Sequence, residues 1–363
     1  MRTFEPKEHL RSIERASERH EGREDFICLD RNERVSGLPE AAFRDLLAQL
    51  KPRDLMAYPD AGRFVAKLSA MLGLPENWIA ETNGSDAALR RVFMAFLRPG
   101  DGVVMLRPSY AMYELYTRIF QGVPRAIPYR KDRTCDVDAI LQAIEPGVGL
   151  VILAHPDQPV GTAIAAPDVR RVVARAAEVG AVCVVDEAYH PFYPISVLPL
   201  VKEFRNLFIT RSFSKYPGCA GIRLGFAAAV PQLITGLMSV RGGNETSSLS
   251  LAIGCYLIDH PEIAEEFRES VEDGRRLLLA AALKLGFKPL PCVTNFALLE
   301  CPETVDPSNI IAELRNRGYL VKGGFSNPIL MHCIRVSLNG PDIMVPFVHA
   351  LEQVMQGFSS GIA

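Results

Sequence analysis

Short apolar runs alternate with amphipathic stretches along most of the chain. From about residue 64 onward, apolar runs that predict strands lie at 103–106, 149–154, 181–185, 207–210 and 224–228. Between them, apolar residues recur at spacings of three and four, which predicts helices at 85–97, 110–120, 167–179 and 246–259. This alternation is typical of an α/β domain with a mostly parallel, buried sheet.

The pattern changes in the last third of the chain. A long charged helix is predicted at about 261–285, followed by strands near 294–299 and 332–337 and helices at 307–317 and 341–356. This order suits a smaller α+β domain, which we expect the N-terminal segment to complete, with residues 1–25 as a polar arm. We therefore predict three segments: the arm and part of the small domain at 1–50, a large domain at 51–260, and a C-terminal small domain at 261–363.

Composition favours small-molecule partners. The 363 residues carry 40 basic and 42 acidic side chains, so the net charge of -2 gives no general attraction to nucleic acid or to an anionic membrane. Eight cysteines form no Cys-x-x-Cys pair, which argues against a zinc or redox motif, and we predict no metal site. The start of the chain is charged, and no apolar run approaches the roughly 20 residues of a membrane span, so we expect a cytoplasmic protein.

The run from Ser212 to Gly225 holds the most informative residues. Lys215 lies between Ser212, Ser214 and Arg223, and Asp186 ends the apolar run 181–185. Pyridoxal phosphate needs these groups: an amine for a Schiff base, an anion for the pyridinium nitrogen, and donors for the phosphate. The sequence therefore predicts a pyridoxal-phosphate enzyme with Lys215 as its reactive amine and Asp186 as the partner of the ring nitrogen.

Other motifs supply further candidate residues. Gly84, Ser85 and Asp86 begin a predicted helix, where free N–H groups bind phosphate. Tyr110 follows a strand and could stack on a pyridine ring, whereas Tyr113 is expected to pack.

Two further residues are expected at the same site. Tyr189, three residues after Asp186, could bond the ring oxygen of the cofactor. Arg335 lies inside the strand pattern of 333–337, where its planar fork matches a substrate carboxylate, with an internal salt bridge as the alternative.

Taken together, these motifs resemble the fold-type I aminotransferases of class I/II, and most closely the histidinol-phosphate aminotransferase branch. The match runs in order from Tyr-Pro at 58 to Ile-Arg-Val-Ser at 334. The resemblance implies an aspartate aminotransferase-like fold, with a large cofactor-binding domain and a smaller α+β domain, and an enzyme of amino-acid metabolism and biosynthesis. It also implies a homodimer with shared active sites, in which Tyr58 reaches the neighbouring subunit's phosphate, and a Lys215 that also shuttles the proton.

The chain departs from the family pattern in a few places. The family loop Asn-Pro-Asn-Asn-Pro-Thr-Gly is here His155-Pro-Asp-Gln158-Pro-Val-Gly, so a glutamine stands where an asparagine contacts the ring oxygen. We expect His155 to be a turn or packing residue. The N-terminal arm lacks the aromatic segment that binds the imidazole phosphate in histidinol-phosphate enzymes, and Lys322 stands near a common arginine.

Transamination between an amino acid or amino-bearing metabolite and a 2-oxo acid is the leading prediction. Decarboxylation, cyclisation or elimination on the same scaffold is the first alternative, and a non-catalytic sensor is the second. The retained Lys215, Asp186 and Arg335 weigh against a sensor, because binding alone requires no proton-shuttling amine. A nicotinamide dehydrogenase is disfavoured because the chain has no Gly-x-Gly-x-x-Gly after a strand.

Overall fold

The computed structural model describes residues 4–11, 13 and 22–359. The strands of these residues are β1 Ile27–Leu29, β2 Ile79–Thr82, β3 Gly102–Arg107, β4 Val123–Pro128, β5 Val148–Ala154, β6 Val182–Asp186, β7 Leu207–Ser212, β8 Gly225–Ala228, β9 Lys288–Leu290, β10 Phe296–Glu300, β11 Tyr319–Val321 and β12 Cys333–Ser337. The α-helices are α1 Glu8–Arg11, α2 Glu40–Gln49, α3 Pro52–Met56, α4 Gly62–Leu72, α5 Gly84–Phe96, α6 Ala111–Ile119, α7 Val137–Ala143, α8 Ala166–Glu178, α9 Pro231–Ser239, α10 Ser248–Asp259, α11 Pro261–Lys284, α12 Pro307–Asn316 and α13 Pro341–Ser359.

A seven-stranded sheet forms the centre of the molecule. Its strand order is β2-β8-β7-β6-β5-β3-β4, and β8 is antiparallel to both of its neighbours. The remaining pairs are parallel. The predicted α/β class with a mostly parallel sheet is therefore confirmed.

Helices cover both faces of this sheet. In β5, Leu150 and Ile152 pack into a core shared with α5, α6 and α9, while Val151 and Leu153 pack into a second core shared with α4, α8 and α10. Because alternate side chains of a strand point to opposite faces, a strand covered on both faces is apolar at every position. This explains the unbroken apolar runs of the sequence.

The C-terminal third forms a second group of strands and helices. The order β12-β10-β9 makes an antiparallel sheet, and β1 pairs in parallel with β11, so residues 27–29 join residues 319–321. Side chains of α11, α12 and α13 pack with these strands in a separate core. The domain boundaries at 50 and 260 stay a prediction, and residues 1–3, 12 and 14–21 of the predicted arm lie outside the described residues.

None of the described helices combines the length and the apolar character that a bilayer crossing requires.

Candidate active site

A cavity of about 1460 Å³ lies at the carboxyl ends of the central strands. Ala154, Asp186 and Ser212, the last residues of β5, β6 and β7, line it. Arg335 of β12 and Arg31, just after β1, also belong to its wall. Open α/β sheets bind their ligands at this edge, so the cavity is the candidate active site.

Lys215 follows β7, and its amine lies in the cavity. Nζ donates a hydrogen bond of 2.7 Å to the carbonyl oxygen of Arg31. Burial, and then the charge of Arg335, lower the pKa of the amine to about 8. Near pH 7 a larger fraction of this lysine is therefore neutral than of an exposed lysine, and the neutral amine is the form that attacks a carbonyl carbon or accepts a proton.

Asp186 ends β6 with a buried carboxylate. It accepts hydrogen bonds of 2.9 Å from the hydroxyls of Tyr113 and Thr210. Burial raises the pKa of this carboxyl to about 6, although both hydrogen bonds oppose the rise. No basic side chain of the described residues forms an ion pair with it. A buried carboxylate of this kind favours a cationic partner within the cavity.

Hydrogen-bond donors converge at the start of α5. Arg223 Nη1 donates to the hydroxyl of Ser214 at 3.1 Å, and the backbone N–H of Ser214 donates to the hydroxyl of Ser212 at 3.0 Å. Gly84, the first residue of α5, has φ of 79°, and a Cβ at this position would lie 2.7 Å from Arg223 Nη2. The positive φ favours glycine, and a side chain here would displace the end of the Arg223 side chain from its place beside the helix N-terminus, whose N–H groups and dipole attract anions.

The carboxylate of Asp86 faces two tyrosines rather than the other phosphate-binding candidates. Tyr116 donates to it at 2.9 Å and Tyr110 at 3.4 Å. Asp86 therefore offers an anion only its backbone N–H, as expected for the first turn of a helix. Tyr110 lines the cavity, edge-on to Tyr113 with 5.5 Å between ring centroids, and burial followed by the charge of Asp86 raises its pKa.

Arg335 and Tyr189 line the cavity beside the segment that directly follows β1. Arg335 is 4% exposed, and its Nη2 donates to the carbonyl oxygen of Asp30 at 2.7 Å. Its Nε has no hydrogen-bond partner among the described residues, and the guanidinium carbon lies 5.2 Å from the ring centroid of Phe296. The hydroxyl of Tyr189 accepts a hydrogen bond of 2.8 Å from Asn32 Nδ2. Both side chains are buried, and each retains hydrogen-bonding capacity for a ligand.

The three polar residues of the loop after β5 have different surroundings. Gln158 lines the cavity. His155 is buried with its ring edge-on to Tyr193, 5.2 Å between centroids, and burial lowers its pKa, so it packs as expected. Asp157 is buried and accepts from the hydroxyls of Ser109 at 2.8 Å and Tyr129 at 2.6 Å, and burial raises its pKa to about 7.

Tyr58 is the predicted residue that lies apart from the others. It is 87% exposed and borders a separate surface cleft beside α3 and α10 rather than the main cavity. Its predicted reach into a partner subunit stays a prediction. Within the described ranges, no cluster of three or more His, Cys, Asp or Glu side chains could hold a metal ion.

Four polar residues of the site were not singled out from the sequence: Asn32, Asp157 and Thr210, together with Tyr113 as a partner of Asp186. The signal for Asp157 was present, because it stands where the family loop has an asparagine. The other three have no local signal, since their partners are 24 to 157 residues away along the chain.

The fold and the sequence both match known proteins. Residues 28–346 match the family Aminotransferase class I and II. A histidinol-phosphate aminotransferase from Symbiobacterium thermophilum is 32% identical over 93% of this chain and 93% of its own.

Solved structures extend the match at the level of the fold. The histidinol-phosphate aminotransferase from Sinorhizobium meliloti in complex with pyridoxal-5'-phosphate superposes with a TM-score of 0.86 at 24% identity, covering 98% of this chain and 99% of that one. An aspartate aminotransferase variant from Thermus thermophilus gives a TM-score of 0.77 at 18% identity, covering 99% of both chains.

These matches define an aspartate aminotransferase-like fold of type I, as the sequence predicts. The family match spans most of the chain, and the chain belongs to the aminotransferase class I and II family. It is a pyridoxal-phosphate-dependent aminotransferase, which acts on amino and 2-oxo acid substrates. The predictions of family, cofactor and activity are confirmed at this level.

The residues of the cavity fit the cofactor. Asp186 is a buried carboxylate that pairs with no cationic side chain in the described part of the chain, which suits a protonated ring nitrogen. Gly84 lets the guanidinium of Arg223 lie beside the start of α5, and the donors grouped there at the cavity wall suit a phosphate. Lys215 brings an amine of lowered pKa into the same cavity.

Proposed function

We propose that Lys215 carries out the amino-group and proton transfers of this aminotransferase. The observation that supports the proposal is that Lys215, Asp186 and Arg335 line one cavity, with the amine pKa lowered to about 8. Pyridoxal phosphate, when bound, supplies the carbonyl carbon that takes up the amino group and a ring that withdraws electrons. Lys215 Nζ then holds or releases a proton at the carbon that exchanges its amino group.

The other predicted residues bind and orient the cofactor in this proposal. Backbone N–H groups at 84–86 and the side chains of Ser212, Ser214 and Arg223 hold the phosphate. Asp186 keeps the ring nitrogen protonated, and Tyr113 and Thr210 hold its carboxylate in place. Tyr110 covers a ring face, while Tyr189 and Gln158 act at the ring oxygen. Burial of Asp186 and Tyr189 excludes water from this region.

Arg335 binds the substrate carboxylate in the same proposal. Its unpartnered Nε and its Nη2 can form two parallel bonds to a carboxylate if Nη2 exchanges the carbonyl oxygen of Asp30 for the ligand. Lys322, whose backbone bridges that of Arg335, also lines the cavity and is exposed. The names of the relatives make histidinol phosphate the first donor to test. This donor has a phosphate and no carboxylate, so its phosphate would take the place of the carboxylate at Arg335, with Lys322 beside it.

The experiment is a screen of purified holoenzyme with a panel of amino donors that includes histidinol phosphate, histidinol and glutamate. A donor that transfers its amino group converts the cofactor and removes its visible absorbance, and a 2-oxo acid restores it. Decarboxylation would release carbon dioxide without this cycle.

The matched variants are Lys215→Ala and Lys202→Ala. Lys215→Ala should lose multiple turnover by several orders of magnitude and still bind the cofactor non-covalently. Lys202→Ala removes an exposed lysine that bonds the carbonyl oxygen of Gly73, outside the cavity, and should retain activity. Substantial turnover by Lys215→Ala would overturn the assignment of the reactive amine.

We also propose a homodimer with shared sites, in the cytoplasm. Leu55, Met56 and Tyr58 are 72%, 85% and 87% exposed, and together they form an apolar surface beside α3. Exposed apolar side chains grouped in this way favour contact with another protein surface. A second copy of the chain is the partner that the family resemblance implies.

A further inference from the structure

The segment 30–32, directly after β1, bonds three groups of the candidate active site. Arg335 Nη2 donates to the carbonyl oxygen of Asp30, and Lys215 Nζ donates to that of Arg31. Asn32 contributes its side chain, whose Nδ2 lies 2.8 Å from the hydroxyl oxygen of Tyr189. Neither the aminotransferase chemistry nor the cofactor contacts described above assigns a role to Asn32.

Asn32 is held from several sides. It is 1% exposed, and its backbone N–H donates to the hydroxyl of Ser337 at 2.7 Å. Asn295 Nδ2 donates to the Asn32 carbonyl oxygen at 3.1 Å. The φ angle of Asn32 is 59°, a left-handed conformation that asparagine tolerates better than most residues. These contacts fix both the backbone and the position of the side chain.

Ser337 also fixes which end of the amide faces Tyr189. Because its hydroxyl oxygen accepts from the Asn32 N–H, the hydroxyl proton is free to point elsewhere, and Asn32 Oδ1 lies 3.4 Å away as an acceptor. Oδ1 therefore faces Ser337, and Nδ2 faces Tyr189. An amide NH₂ can only donate, so the Tyr189 oxygen accepts this bond.

This direction leaves the proton of the Tyr189 hydroxyl available. A phenol has one proton to donate, and no hydrogen bond among the described residues uses that of Tyr189. Tyr189 is 6% exposed and lines the cavity. Its proton can therefore go to an acceptor inside the cavity.

We propose that Asn32 is a positioning residue that holds the Tyr189 hydroxyl as a hydrogen-bond donor toward the cofactor's ring oxygen. The inference rests on the proposed role of Tyr189. A donor at that oxygen stabilises its ionised form, which lowers the apparent pKa of the bound cofactor. Asn32 thus acts on the cofactor through Tyr189 and not by contact.

The test is the pH titration of the bound cofactor's visible absorbance in Asn32→Asp holoenzyme. A carboxylate has the shape of the amide but accepts hydrogen bonds, so Tyr189 would donate to Asp at position 32 instead of to the cofactor. The apparent pKa should rise by about one unit, the size expected for one hydrogen bond. Arg335, Asp186 and Cys292, the titratable groups whose charges act on Tyr189, are unchanged in the variant.

The same substitution in a Tyr189→Phe background separates this effect from the added charge. The charge acts in both backgrounds, whereas the reversed hydrogen bond requires the phenol, so the shift should be larger with tyrosine at 189. Equal shifts in the two backgrounds would overturn the role of Asn32. If Tyr189→Phe alone leaves the titration unchanged, the proposed role of Tyr189 fails instead.

Two further variants guard against a purely structural effect. Asn32→Gly keeps the left-handed backbone and removes the amide, and it should shift the titration only when Tyr189 is present. Asn339→Asp is the matched control: Asn339 is also buried and bonds the same segment at Glu33 and Val35, without a contact to Tyr189. Its titration should match that of the parent, and a shift as large as that of Asn32→Asp would contradict the inference.

Discussion

The two buried aspartates at the strand ends differ in their surroundings. Asp186 and Asp157 each accept from two hydroxyls and carry a raised pKa. The carboxylate of Asp186 has a predicted cationic partner in the cofactor. No basic side chain in the described ranges pairs with Asp157, and its bonds to Ser109 and Tyr129 instead connect the loops after β3, β4 and β5. Its charge is therefore a cost to the fold that the cofactor does not offset.

Asp157→Asn should change how the stability of the cofactor-free protein depends on pH. In the unfolded chain this aspartate ionises near pH 4, whereas in the folded chain it keeps its proton to about pH 7. The folded state thus binds more protons between these values, and the free energy of unfolding falls as pH rises through this window, by at most about 1.4 kcal/mol for each unit of pKa difference.

Urea unfolding of parent and variant from pH 4 to 8 measures this slope. Asp157→Asn should flatten the decline, leaving the part due to Asp186. Asp132→Asn is the control, because hydrogen bonds from Thr134 lower the pKa of its exposed carboxyl and its contribution lies below the window. Identical slopes for the parent and Asp157→Asn would show that Asp157 ionises normally.

Among the elements, helix α5 joins the fold most directly to the site. It packs on the central sheet through Leu89, Val92 and Phe93, and its first residue is Gly84. The same helix therefore contributes to the core at one end and presents its free N–H groups to the cavity at the other.

Gly84→Ala should weaken cofactor binding. The new Cβ would lie 2.7 Å from Arg223 Nη2, so the guanidinium must move away from the place where the phosphate is proposed to bind. We expect the dissociation constant for pyridoxal phosphate to rise about tenfold or more, since losing one charge-assisted hydrogen bond costs roughly 1.5 to 3 kcal/mol.

Gly73→Ala is the control, because it has a similar φ of 62° but no atom within 4 Å of the new Cβ. It carries the same backbone strain, so it should lower stability and leave cofactor affinity unchanged. Equal affinities for parent and Gly84→Ala, measured by equilibrium dialysis, would contradict the arrangement at α5.

The sequence predicts the strands whose residues form unbroken apolar runs and misses those whose runs are short or interrupted. β3, β5 and β6 form apolar runs and were predicted to within two residues. β4 lies at the sheet edge and contains Pro124 and Pro128, which an edge strand tolerates, and β2 contains Glu81 and Thr82. β1 and β11 have three residues each, too few for a period, and form only because they pair with one another.

The same distinction holds for the site. Lys215, Asp186 and Arg223 belong to local motifs whose residue types specify their chemistry. The bonds of Asn32 to Tyr189 and of Asp157 to Tyr129 depend on how distant segments meet. No local sequence pattern indicates such a contact, so the roles of these residues were identified only from the structure.

For the whole molecule, the proposed shared sites give a test by mixing variants. Tyr58→Ala and Lys215→Ala should each have little activity, because Tyr58 is proposed to serve the partner's site and Lys215 its own. In a two-fold dimer formed from both, one site combines both substitutions and the other has neither. Co-refolding equal amounts should restore about a quarter of the parent activity, since half of the dimers are mixed and each has one intact site.

Mixing Asp186→Ala with Lys215→Ala is the control. Both residues belong to one chain's cavity, so every site in a mixed dimer lacks one of them. Activity should stay at the level of the separate variants. Recovery in this control, or none in the first mixture, would contradict the shared-site dimer.

The pairing of β1 with β11 has a consequence for synthesis of the protein. Residues 27–29 are made early, but their partners at 319–321 follow almost 300 residues later, and Ser337, which holds Asn32, comes later still. During translation the segment that bonds Lys215, Tyr189 and Arg335 lacks the support of β11 and Ser337 until the C-terminal third has left the ribosome. The catalytic pocket therefore cannot be complete before β12 has been made, and a chain that stops before β12 leaves it open.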